Sequence, residues 1–92
     1  MSDQQILEIL KLANAPEQAK KQGLGQVKYI VELRVAGILQ MSMSDEQKST
    51  FEKLQEESTE VVWTWLNENF VNTSELYEEV LKDYLKSLQD RL

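Results

Sequence analysis

The chain has 92 residues, of which 41% are hydrophobic and 28% charged, and a net charge of −6. Length and composition predict one folded domain with a modest core rather than a disordered chain. There is no cysteine and no histidine. That excludes disulfides and thiolate catalysis, and removes the commonest general base and transition-metal ligand.

The charge is uneven. Residues 1–43 carry five basic and four acidic side chains, and residues 44–92 carry five and twelve. The halves are therefore +1 and −7. Phosphate contact needs a basic surface, so direct nucleic-acid binding is not expected. An acidic half can instead meet a basic protein. No apolar run reaches membrane-spanning length, and no basic stretch followed by an apolar core opens the chain. A cytoplasmic location and no membrane contact are the expectation.

Asp3, or Ser2 with Gln5 as a capping box, starts a first helix. Ile6, Leu7, Ile9, Leu10 and Ala13 form its apolar face, and it is predicted to end near Asn14. Pro16 suits the first position of a short helix over Pro16–Gln22, with Gly23 as its C-terminal cap. Leu24-Gly25 then leads into the most apolar stretch, Val27 to Met41.

Wound at about 100° per residue, this central helix gathers Val27, Ile30, Val31, Val35, Ile38 and Met41 on one side, with Leu33 and Gly37 flanking. Lys28, Tyr29, Glu32, Ala36, Leu39 and Gln40 take the other side. Arg34 falls within the apolar face. A buried charge must be paired, snorkel to water, or face something outside the monomer. The readings are an ion pair with a downstream carboxylate, a place on a binding or dimer surface, and a half-exposed snorkelling side chain. Tyr84 is one candidate neighbour. Gly37 weakens a helix interior by about 1 kcal/mol relative to alanine, which points to close approach of a neighbouring helix.

Ser44 with Gln47 forms a second capping box, and Asp45 and Glu46 favour the helix N-terminus it starts. This helix runs to about Glu57 on a thin stripe, Phe51 and Leu54, so it should lie outermost and be the least stable main helix. Ser58 or Thr59 caps a fourth helix with Val62, Leu66 and Phe70 in line. Trp63 and Trp65 are about 200° apart around its axis. One is expected to anchor the core while the other sits at the rim, both partly buried. Asn72, Thr73 or Ser74 caps the last helix. Its stripe is Tyr77, Val80, Leu81, Tyr84, Leu85, Leu88 and Leu92.

The chemistry-bearing motifs are missing. Paired carboxylates in a cleft, a Gly-rich phosphate loop and EF-hand spacing do not occur. No catalytic residue, cofactor or metal site is expected, and the protein is read as a non-enzyme. From Arg34 to Leu66 the features are an arginine one turn before Ile38-Leu39, a Met-Ser-Met break, Ser44-Asp45-Glu46-Gln47 with Phe51 and Leu54, then Val62 and Leu66. A closing acidic helix follows. In these features the chain resembles a group of small, uncharacterised bacterial helical domains. The resemblance implies a bacterial, intracellular helical domain and carries no activity.

The expectation is thus an all-α, compact bundle of four main helices plus one short helix, in a single domain over residues 1–92. The central helix packs against the first and last. The functional reading is an acidic protein-interaction module, an adaptor or regulator. The alternatives are an acidic mimic that blocks a nucleic-acid-binding protein, and a self-associating structural domain. Arg34, Trp63 and Trp65 are the candidate interaction residues. The partner is another protein or a second copy of the chain.

Overall fold

The computed structural model describes residues 1–91; Leu92, placed by its spacing at the end of the last stripe, lies outside the described residues. Helix α1 (Asp3–Ile9) starts at the expected capping box. The Ser2 hydroxyl accepts from the Gln5 N–H at 3.2 Å, and the Gln5 side chain accepts from the Ser2 N–H at 2.9 Å. Two of the helix's orphan donors are satisfied this way.

α1 stops well before Asn14. The Leu12 N–H bonds to the Leu7 carbonyl at 2.8 Å and the Lys11 N–H to the Glu8 carbonyl at 3.1 Å. That pair of bonds is a Schellman turn, and it places Lys11 in the left-handed region at φ 62°. The turn folds Leu12 down onto the next helix. A Cβ added to Gly23 would lie 2.5 Å from the Leu12 Cδ1. Gly23 is therefore where the chain after α1 approaches its neighbour. The left-handed conformation disfavours any side chain with a Cβ. Lys11→Gly is expected to stabilise the fold by about 1 kcal/mol, a rise of ~4–8 °C in Tm by calorimetry.

Helix α2 (Glu17–Gln40) corrects the sequence reading. The short helix and the central helix are one 24-residue element, with Pro16 as its N-cap. No glycine has a positive φ, so Gly23 does not cap anything. Glycine's weak helix propensity is overridden by tertiary contacts along the helix. At 1.5 Å per residue α2 is about 36 Å long, and it draws the molecule out to 45 × 24 × 20 Å.

α3 (Asp45–Gln55) begins at the second expected capping box, Ser44 with Gln47. Phe51 is its one buried residue. α4 (Thr59–Asn69) is capped by the Ser58 hydroxyl, which accepts from the Val61 N–H at 3.2 Å. α5 (Thr73–Arg91) follows a tight turn with Asn72 at φ 67°. The buried Thr73 hydroxyl donates to the Asn67 side-chain oxygen and ties the end of α4 to the start of α5.

The architecture is all-α, and no strand occurs among the described residues. The described residues form five helices, of which α1 is the shortest; the separate short helix expected over Pro16–Gln22 is the first part of α2. α2 packs on α5 and α1, and α3 packs on α4. The core has two parts. Ile6, Val27, Val31, Val35, Val80, Leu81 and Leu85 form the first, between α1, α2 and α5. Ala36, Met43, Phe51 and Leu66 form the second, where α3 and α4 meet the end of α2. Leu39 and Trp63 pack against both.

Candidate protein-interaction surface

The helix α2 sorts its side chains differently from the sequence reading. Val27, Val31 and Val35 are buried as expected, but so is Ala36. Ile38 and Met41, assigned to the core side, are 44% and 86% exposed. Leu33 is 50% and Tyr29 53% exposed. The reason is the placement of neighbours. α1 and α5 cover the valine line, while α3 and α4 return on the side of Ala36 and Leu39. The remaining side of α2 has no covering helix. A helix with so wide an apolar face needs neighbours on most of its sides, and this one is enclosed on part of its circumference only.

Arg34 lies at the edge of that open side and is exposed. The ion pair with a downstream carboxylate does not form: among the described residues no carboxylate lies within salt-bridge distance of it. Its guanidinium sits over the Tyr84 ring, 4.8 Å from the centroid, so the anticipated neighbour is the actual one. Arg34, Gly37, Ile38, Met41, Val80 and Asp83 line a shallow depression between α2 and α5. Nothing lies within 4 Å of a Cβ built on Gly37. The helix expected to approach it is absent from the chain's own fold.

On the other flank of the open side is a cleft of about 200 Å³ between α2, α3 and α4. Tyr29 and Leu33 from α2, Phe51 and Gln55 from α3, and Val62 and Trp63 from α4 form its walls. Glu32 also reaches into it. Burial raises the Glu32 carboxyl above its ordinary pKa of 4.5, against an opposing pull from Lys28. Tyr77, on the far side of Trp63, is raised from 10.0 by burial first and then by Glu32, Glu78 and Asp3.

A raised carboxyl pKa means that the folded state holds the proton more tightly than the unfolded state does. The stability this contributes is full below pH 4.5 and is lost as pH rises through the raised value. Glu32→Gln is therefore expected to raise Tm at pH 7. The gain should shrink as pH falls toward 4.5, in a thermal-melt series over that range.

The two tryptophans are both half-buried and serve different neighbours. Trp63 stands edge-on to Tyr77 at 5.4 Å. Trp65 faces the opposite way, 6.2 Å from Phe51 and 6.3 Å from Phe70. Trp63 thus borders the cleft, Trp65 packs α3 onto α4, and Arg34 lies apart on the α5 side. Tyr29, Glu32 and Leu33 belong to the surface and were missed as candidates. Their signal was present: Tyr29 and Leu33 are large apolar side chains that fall outside the valine line.

Residues 6–92 match the family described as "Protein of unknown function (DUF5663)". The chain belongs to this family. The matched span takes in all of α2, α3 and α4 and the described part of α5, so both halves of the core and the open side of α2 lie within the DUF5663 domain. No curated protein and no solved structure matches the chain. No helix among the described residues of this DUF5663 chain is long and apolar enough to cross a membrane. Among the same residues there is no group of three acidic side chains placed to hold a metal ion.

Proposed function

We propose that this DUF5663 domain is a non-enzymatic protein-interaction module of the bacterial cytoplasm, an adaptor or regulator that binds along the open side of α2. One observation carries the reading: Tyr29, Leu33, Ile38 and Met41 stand exposed on a single helix, next to an arginine without a carboxylate partner among the described residues. Exposed large apolar side chains gathered along one element mark interaction sites on small proteins. Tyrosine, methionine and arginine are the side chains that interfaces favour. The cleft offers one carboxyl among aromatic and aliphatic walls, which suits a docked side chain better than a reaction needing two tuned groups.

Affinity capture from host lysate with wild-type and Leu33→Asp baits tests this. A partner held by the wild type and lost with the variant supports the module. A nucleic-acid-binding partner held equally by both baits and released by moderate salt would replace it with the acidic-mimic reading, which the −7 of residues 44–92 motivates. Arg34→Met separates surface from core. Breaking a buried ion pair costs about 3–5 kcal/mol. Here the arginine makes only an exposed contact with an aromatic ring, so the expected loss in urea unfolding is below about 1 kcal/mol.

A further inference from the structure

We propose that the open side of α2 closes on the same side of α2 from a second copy of this chain, the two helices crossing antiparallel at Gly37. This rests on the reading of that side as an interaction surface and names its occupant.

Three observations favour a second copy. The first is Gly37 itself. It lies inside a 24-residue helix, exposed, with nothing within 4 Å of an added Cβ. Its lack of a side chain serves no contact in the monomer, yet it lets another helix axis come close. The second is the sequence on either side of it. Three residues away in each direction are Arg34 and Gln40, and four residues away are Leu33 and Met41. These offsets share one helix face.

A two-fold antiparallel crossing at Gly37 sets Leu33 against the other copy's Met41, and Arg34 against its Gln40, each pairing made twice. Each large apolar side chain meets another. The arginine meets an amide oxygen that accepts its N–H groups. A parallel crossing would set arginine against arginine. The third observation is charge. The chain is acidic, but from Ile30 to Met41 the one carboxylate is Glu32, which is turned into the cleft. Two chains of net charge −6 thus meet on the least acidic strip of α2, where the bordering carboxylate of α5, Asp83, lines the same depression as the cationic Arg34. The strip is short, so the contact is smaller than a standard interface and the dimer is expected to dissociate in the micromolar range.

The chain has no cysteine, so single cysteines can report the geometry by oxidative trapping. Gly37→Cys should link to itself. Leu33→Cys mixed with Met41→Cys should give the mixed dimer. Met41→Cys alone should stay unlinked, because the two copies of position 41 are then about 12 Å apart along the axis, beyond disulfide reach. Sedimentation should show a wild-type dimer, and Met41→Asp should weaken it at least tenfold with the helical circular dichroism unchanged.

Self-linking by Met41→Cys, or failure of Gly37→Cys to link, would overturn the antiparallel contact. A wild-type chain that stays monomeric at hundreds of micromolar would overturn the second copy altogether. In that case the Leu33→Asp capture still decides whether the surface takes a different protein.

Discussion

Phe51→Ala is expected to destabilise the fold by about 3–4 kcal/mol in urea unfolding. The side chain is 1% exposed and is the sole buried residue of α3. It packs in a cluster with Ala36, Met43 and Leu66, and its ring stands 6.2 Å from Trp65. Truncation removes the transfer energy of the ring and leaves a cavity that three helices must collapse to fill. Leu54 is half-buried and cannot hold α3 alone. A domain of this size has about 5–14 kcal/mol in total, so the substitution takes a large share. The loss should also be local. Amide exchange in α3 should accelerate first, and the Trp65 emission should shift red as its neighbour goes. A cost below about 1.5 kcal/mol, with α3 protection intact, would mean that something other than Phe51 anchors this helix.

Trp63→Ala is expected to cost about 2–3 kcal/mol, less than a fully buried tryptophan because the side chain is half-exposed. The position matters more than the size. Trp63 packs against both parts of the core and stands edge-on to Tyr77 at 5.4 Å. An edge-to-face aromatic pair adds about 0.5–1.5 kcal/mol beyond the area it buries. A double-mutant cycle with Tyr77→Leu should recover a coupling in that range. Removing Trp63 should also loosen the joint between the two parts. Unfolding followed at α3–α4 should then separate from unfolding followed at α5. Coincident transitions in the variant would show that Leu39 and the continuous α2 suffice to keep the molecule cooperative.

What was legible in the sequence is what local chemistry decides. Ser2 with Gln5 and Ser44 with Gln47 cap helices because each cap needs partners only three residues apart. The α5 stripe reads cleanly because its outer face is charged, so periodicity has a contrast to work with. α2 offers no such contrast. When Ala36, Ile38, Leu39 and Met41 are all apolar, only the position of neighbouring helices chooses which are covered. The unbroken run through Gly23-Leu24-Gly25 was hidden for a related reason. A glycine reads as a stop, but here Gly23 accommodates Leu12 from a turn eleven residues back. For Arg34, the ring of Tyr84 was within reach of sequence reasoning, whereas the absence of a nearby carboxylate depends on where α5 lies. The two tryptophans followed from helix geometry alone. The cleft did not, because its walls come from three helices.

The order of helices along the chain bears on how the molecule is made. α1, α2 and α5 share the larger part of the core, while α3 and α4 are strung between α2 and α5. During synthesis Val31 and Val35 leave the ribosome about fifty residues ahead of Leu81 and Leu85, which bury them. At 5–20 residues per second that gap lasts roughly 3–10 s. For that interval α2 has only α1, and then the α3–α4 pair, to shield the valine line that α5 will cover. The nascent chain therefore completes the larger part of its core only when α5 arrives, as the last element made.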